Sequence, residues 1–148
     1  MCGIGGIYLK AAGELDSRPY LQRMLDIQRH RGPDAEGLWL TEDQHLGLCH
    51  NRLAILDLTE SGNQPLHSAD SRFVIVFNGE IYNHKELRSE LELKGVAFRS
   101  HTDTEVLVEA YRFWGEDMLQ KLRGMFAFGI YDRESRNLFC ARDRVGKK

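Results

Sequence analysis

Cysteine is scarce in this chain: only Cys2, Cys49 and Cys140 occur. They are odd in number, far apart and free of any C-x-x-C spacing, so neither a disulfide framework nor a zinc site organises the fold. A reducing cytoplasm is the expected setting. Long apolar runs are also missing. The longest purely aliphatic or aromatic stretch is Phe73–Phe77, far below a membrane span. No cationic patch followed by a long apolar segment opens the chain, so no secretory leader is expected. A net charge of -2 without a basic stripe lacks the footprint of a nucleic-acid binder. The histidines are His30, His45, His50, His67, His84 and His101, scattered over loops and helix starts with no i, i+4 pair. They read as surface or structural residues, and no metal site is expected. Repeats and low-complexity segments are absent. The 148 residues suffice for one domain with a core and are too few for two.

What is present is a series of strand and helix signatures. Ile4–Leu9 is apolar with close-set glycines and reads as a buried strand. In "SRPYLQRMLDIQRHRGPD" the spacing predicts a helix from about Pro19, which suits a first helical turn. Leu21, Met24, Leu25 and Gln28 share one face, and Gly32-Pro33 ends the helix. Gly37–Thr41 and His45–Asn51 read as strands, and "LTESGNQPLHSAD" as a loop. "RFVIVFNG" is a strand buried on both faces. "NHKELRSELELKG" predicts a helix with a capping-box-like start at Asn83 and Glu86, Leu87 and Leu91 on one face, and Gly95 as its stop. Val96–Arg99 reads as a short strand. "TDTEVLVEAYRFWG" predicts a second helix, capped by Thr102 or Asp103 and ended by Gly115. A short helix is expected over Asp117–Leu122. Met125–Tyr131 and Leu138–Ala141 read as strands joined by the hairpin turn "DRESRN". Cys49 and Cys140 read as small buried residues, and Tyr111, Phe113, Trp114, Phe126 and Phe128 as core. Strands and helices do not alternate regularly, which points to α+β with mainly antiparallel sheets.

Four features carry chemistry. Cys2 follows the initiator methionine. If Met1 is removed, one residue carries both a thiol and an α-amine of near-neutral pKa, a nucleophile with its own base. Position alone leaves open an incidental small residue at a strand start. The glycines at positions 3, 5 and 6 would let a substrate approach the backbone. In "FNGEIYN" the strand ends in Asn78-Gly79. A hairpin turn is the usual meaning of Asn-Gly, but a helix follows here. The Asn78 amide and the Gly79 N–H form a donor pair of the kind an oxyanion hole needs. Arg52 in "HNRLAILDL" stands at a strand end, able to clamp a carboxylate or to pair with a surface acid. Asp103 in "SHTDTE" opens a helix as a cap, as a ligand, or as both. One carboxylate and one guanidinium suit the two charged groups of an α-amino acid.

The stretches "MCGI", "HRGPDAEG", "HNRLAILDL", "FNGEIYNHKELRSEL", "SHTDTE", "RGMFAFGIYD" and "ARDRVGKK" run in order along nearly the whole chain. Together they resemble the glutaminase domain of glutamine-hydrolysing asparagine synthetases, and more broadly the class II, N-terminal-nucleophile glutamine amidotransferases. "RGPD", "RLAILDL" and "FNGEIYN" favour that branch over the glutaminase domains of glucosamine-6-phosphate synthase and phosphoribosyl-pyrophosphate amidotransferase. The branch also contains amidotransferases of surface sugar and peptide biosynthesis. Cys2 disfavours a β-lactam-synthetase-like relative that has lost the nucleophile.

The resemblance implies a four-layer α/β/β/α sandwich of two antiparallel sheets, with the domain incomplete at its C-terminal end. It implies Cys2 as nucleophile and Asn78 and Gly79 as oxyanion hole. Arg52 would hold the glutamine α-carboxylate and Asp103 its α-ammonium. Arg52, Leu53, Ala54, Ile55 and Leu56, with Asn78, Gly79 and Glu80, would line the glutamine pocket. In "RGPD", Gly32 and Pro33 set a turn, Arg31 and Asp34 can pair, and no catalytic role is assigned. Glutamine is the implied substrate. No cofactor or metal belongs to this domain, and ATP and magnesium are expected only in a following synthetase domain, the implied partner. A homodimer is compatible with the resemblance. Neither nucleic acid nor membrane is. With Met1 attached, the Cys2 nitrogen is an amide and no base, so loss of Met1 is a condition of the chemistry. An inactive glutamine-binding or interaction module is the alternative.

Overall fold

Two antiparallel sheets lie face to face, with helices on both outer surfaces. The computed structural model describes residues 1–9, 16–55 and 59–148. The first sheet holds β1 (Gly3–Tyr8), β2 (Ala35–Leu40) and β3 (Leu46–Arg52) in the order β1-β3-β2. The second holds β4 (Leu66–His67), β5 (Phe73–Ile81), β6 (Gly124–Asp132) and β7 (Asn137–Arg142) in the order β4-β5-β6-β7. Helix α1 (Arg18–Gln28) covers the first sheet, while α2 (His84–Leu93) and α3 (Asp103–Trp114) cover the second. The layers are therefore α/β/β/α, the architecture expected from the sequence. Among the described residues, no helix is long and apolar enough to cross a membrane.

Alternation along the strands builds three apolar layers. In β5, Phe73, Ile75 and Phe77 face α2 and α3 with Leu87, Leu91, Val106 and Leu107. Val74 and Val76 face the other sheet, meeting its Leu46 and Leu48 with Tyr131 of the neighbouring β6 beside them. Beyond β3, Cys49 packs on Leu21 and Leu25 of α1. All of β3 is buried, because it is central in its sheet and covered on both faces.

Several expectations are corrected. Gly3 and Gly5 serve packing, not substrate approach. A Cβ at Gly3 would lie 2.5 Å from Gln28 Oε1, and one at Gly5 2.9 Å from Cys49 Sγ. Asn83 makes no side-chain cap. Its amide instead donates to Lys121 O (2.9 Å), and its oxygen accepts from Arg123 N (3.0 Å). Val96–Arg99 is not a strand, and Arg99 N–H is taken by Glu105 instead (2.9 Å). The short helix is a 3-10 turn over Gly115–Gln120. The loop 58–70 contains β4 and a further 3-10 turn, Glu60–Gly62. Cys140 is exposed, on a groove between β1 and β6–β7, and Phe113 is exposed as well. His50 is no loop residue: it sits in β3, fully buried, with Nε2 donating to Phe77 O (3.2 Å). That bond ties the two sheets together.

Candidate active site

The C-terminal ends of β3 and β5 lie side by side at one end of the sandwich, and the start of β1 meets them there. The register sets this up. Gly3 pairs with Asn51, so Cys2 falls beside the last residues of β3. Leu53 N–H donates to Cys2 Sγ (3.4 Å), and the thiol lies 3.7 Å from Leu53 O. Cys2 is half-buried, on the rim of a cleft shared with Arg52, Asn78, Gly79, Glu80 and Asp103.

Asn78 continues the inward face of Val74 and Val76, so its amide points between the sheets. No protein group takes it among the described residues. Gly79 has a different geometry. The open edge of β5 beyond β4 carries the N–H groups of Phe77, Gly79 and Ile81, by the two-residue alternation of an antiparallel strand. Phe77 N–H is taken by Gln64 Oε1 (2.6 Å) and Ile81 N–H by Asp103 Oδ2 (3.1 Å). Gly79 N–H lies between them, facing the cleft. A Cβ at Gly79 would sit 2.2 Å from Met125 O on β6, so only glycine lets the two strands close here. The strand thus runs on through Ile81 and does not end in a turn at Asn78-Gly79.

Arg52 is the last residue of β3 and is buried. Its Nη1 donates to Thr59 O (2.7 Å) and Asn63 Oδ1 (2.9 Å). Asp103 is the first residue of α3. The cap is Thr102, whose Oγ1 accepts from Glu105 N (3.2 Å). The buried Glu105 carboxylate reaches back to the N–H groups of Arg99 and Ser100 and to Ser100 Oγ (2.6 Å). This reciprocal arrangement fixes the helix start and with it Asp103. Burial pushes the Asp103 carboxyl above the ordinary carboxylate range, only partly offset by Ile81 N–H and the nearby His84. Among the described residues no lysine or arginine pairs with it. A desolvated carboxylate without a cation is a ready seat for one.

Of the residues expected to line the pocket, Arg52, Leu53, Ile55, Asn78, Gly79, Glu80 and Asp103 do so. Ala54 does not: its N–H is turned to Asp34 Oδ2 (2.8 Å). Leu56 lies outside the described residues. Arg31 and Asp34 do not pair with each other. Arg31 Nε donates to Cys2 O (3.2 Å), so the "RGPD" turn holds both sides of the thiol's seat. Gly62, Asn63 and Gln64 were not singled out from the sequence. They stood in a stretch read only as loop, and an uncharged Gln or Asn carries no titratable signature. A larger polar hollow of ≈ 710 Å³ lies at the far end of the sandwich. Within it Arg136 pairs with Asp43 and Arg72 with Glu134. Among the described residues, no cluster of three or more His, Cys, Asp or Glu could hold a metal ion.

Known proteins resemble this chain along its whole length. A family model described as a glutamine amidotransferase domain matches residues 1–148. Asparagine synthetase [glutamine-hydrolyzing] 1 of Bacillus subtilis is 45% identical over the whole chain, which covers 23% of that protein. A putative asparagine synthetase [glutamine-hydrolyzing] of Mycobacterium tuberculosis is 42% identical, again over the whole chain and 24% of its own length. The chain thus spans about a quarter of these curated relatives. Among solved structures, the glutamine phosphoribosylpyrophosphate amidotransferase of Bacillus subtilis superposes with a TM-score of 0.73 at 21% identity. That match covers 97% of this chain and 37% of that one, and it supports the fold.

Proposed function

The chain belongs to the glutamine amidotransferase domain family, and from that premise we propose that it hydrolyses the side-chain amide of glutamine through a Cys2 thioester. The observation that carries the reading is the convergence of Cys2, Arg52, Asn78, Gly79 and Asp103 on one cleft. A thiol, two oxyanion donors, a guanidinium and an uncompensated carboxylate match the reactive and recognition groups of glutamine one for one.

Once Met1 is removed, the Cys2 α-amine accepts the thiol proton. The thiolate attacks the side-chain carbonyl carbon, and the resulting oxyanion is held by Asn78 Nδ2 and Gly79 N–H. The α-ammonium returns its proton to the departing nitrogen, and ammonia leaves. Water, deprotonated by the same amine, attacks the γ-glutamyl thioester and releases glutamate and the thiol. Arg52 holds the α-carboxylate and Asp103 the α-ammonium, so selection rests on charge at the end of the substrate remote from the reaction. Leu53, Ile55 and Glu80 line the pocket. Ala54 acts one step back, through Asp34.

The names of the relatives support a role for the released ammonia in converting aspartate to asparagine, on a synthetase domain that would supply ATP and magnesium chemistry. A reducing cytoplasm fits the unpaired cysteines. The test is direct. N-terminal mass spectrometry should show Cys2 as the first residue, and a glutamine-analogue electrophile should label it. Cys2→Ala should abolish both labelling and ammonia release. Ammonia release that persists in Cys2→Ala would overturn the mechanism.

A further inference from the structure

Three cleft-forming parts of the chain meet at one amide. Gln64 is buried, with Oε1 accepting from Phe77 N on the open edge of β5 (2.6 Å). Its Nε2 donates to Thr104 Oγ1 in the first turn of α3 (3.2 Å), next to Asp103. Gln64 also closes the short segment that grips Arg52. Thr59 O and Asn63 Oδ1 accept from Nη1, and Gly62 lies under the guanidinium, where a Cβ would be 2.2 Å from Nη2. The planar carboxamide has its acceptor on one side and its donors on the other, so its two bonds fix a direction as well as a distance.

We infer that Gln64 is a positioning residue that sets the spacing between the oxyanion edge of β5 and the amino-acid-recognition end at Asp103 and Arg52. This rests on the glutaminase reading. Glutamine has a fixed number of methylenes between its α-carbon and its amide. Its carbonyl oxygen reaches Gly79 and Asn78 only if Arg52 and Asp103 stand at the matching distance. Those groups come from β5, α3 and the end of β3, three elements far apart in sequence. Gln64 fills Phe77 N–H, which leaves Gly79 N–H as the open donor of that edge, and it anchors the same strand to the helix that carries Asp103. Gln64 stands at the cleft wall with both ends of its amide taken by Phe77 N and Thr104 Oγ1, so it acts through its neighbours.

The test compares the full chain, shown by mass spectrometry to begin at Cys2, with Gln64→Met, Thr104→Val and Thr104→Ser. Gln64→Met keeps the bulk and loses both bonds, and kcat for glutamine should fall about 10²-fold, the scale of a 1 Å misplacement. Thr104→Val cuts only the tie to α3 and should raise KM more than it lowers kcat. Thr104→Ser, which keeps the hydroxyl acceptor, should restore KM. Alkylation of Cys2 by iodoacetamide, which needs no recognition groups, should proceed at the parent rate in all three. A purely structural Gln64 would lower alkylation-competent protein and hydrolysis in parallel, and that result would overturn the inference. So would parent kcat and KM in Gln64→Met. If the parent itself releases no ammonia, the glutaminase reading falls and takes this inference with it. If the parent is active and the variants match it, only this inference falls.

Discussion

Asp103 Oδ2 accepts the Ile81 amide at 3.1 Å, and among the described residues no lysine or arginine pairs with the carboxylate. A buried carboxylate held by backbone donors and no ion pair is costly unless a ligand completes it.

Asp103→Asn keeps an oxygen for Ile81 and removes the charge. Burial holds the Asp103 carboxyl above the ordinary range, so the folded state keeps its proton more tightly than the unfolded chain. Stability from such a group is complete below the unfolded pKa and fades as pH rises through the folded one. At neutral pH the variant should therefore melt at or above the parent temperature. Its KM for glutamine should rise roughly 10- to 100-fold, the worth of about 1.5–3 kcal/mol for a charged hydrogen bond. In the parent, KM should rise as pH falls through the raised Asp103 pKa. Thermal melts and ammonia-release kinetics across pH check both halves. A lower melting temperature with unchanged KM would contradict them.

Asn78→Ala removes one oxyanion donor and nothing that the fold uses, since no protein group takes the Asn78 amide among the described residues. The expected loss is about 10²–10³ in kcat, or about 2.7–4 kcal/mol, with KM and melting temperature little changed. Single-turnover measurement of thioester formation separates this from slow hydrolysis of the thioester. A defect confined to KM would place Asn78 in recognition instead.

Much of this candidate site was legible in the sequence through seven motifs in order, since each residue alone left an ordinary structural reading open. Cys2 is marked by its position, and Asn78-Gly79 by a turn dipeptide that no hairpin follows. Arg52 and Asp103 are marked by charges at the ends of periodic segments. The α+β class with antiparallel sheets followed from strands and helices without regular alternation. The misses share a physical cause. Asn83 has the residue type of a cap, yet tertiary partners at Lys121 and Arg123 take its side chain. Arg31 and Asp34 are close in sequence and opposite in charge, yet each finds a backbone group of the thiol's seat. Gln64 acts through two partners 13 and 40 residues away, which no local pattern encodes. The glycines at positions 3, 5 and 6 looked permissive toward a ligand, while the constraint on them is close packing against α1 and β3.

His50 makes the acid stability of the fold predictable. Burial lowers its pKa to about 4, with the Arg52 charge adding to the effect and the Phe77 bond opposing it. The neutral ring donates to Phe77 O across the two sheets. Its folded pKa lies below the unfolded value of 6.5, so the unfolded state binds more protons between the two. Stability is full above about 6.5 and is lost as pH falls toward 4, by about 3 kcal/mol at 1.36 kcal/mol per unit. His50→Gln retains a donor for Phe77 O without a titrating ring. Urea unfolding from pH 7 to 4 should show a shallower decline in the variant. Parallel declines would assign the acid lability to other groups.

Gly62→Ala separates recognition from stability more cleanly than any change to Arg52 itself. A Cβ there would lie 2.2 Å from Arg52 Nη2 and 2.8 Å from Cζ, with Thr102 Cγ2 at 3.3 Å. The obstacle is the far end of a flexible side chain, so the guanidinium moves aside and the backbone stays. Alanine also restricts the unfolded chain, worth about 0.4–1 kcal/mol in favour of the fold where the backbone accepts it. The melting temperature should therefore hold, while the displaced guanidinium no longer meets the α-carboxylate. KM for glutamine should rise roughly tenfold or more, at about 1.5–3 kcal/mol per charged hydrogen bond. Glutamine α-amide, which offers no carboxylate, should lose nothing. The ratio of kcat/KM for the two substrates is the decisive quantity, because a general defect would lower both equally. A ratio that stays at the parent value in Gly62→Ala would remove Arg52 from carboxylate recognition and leave it as a brace for the segment that carries Asn63.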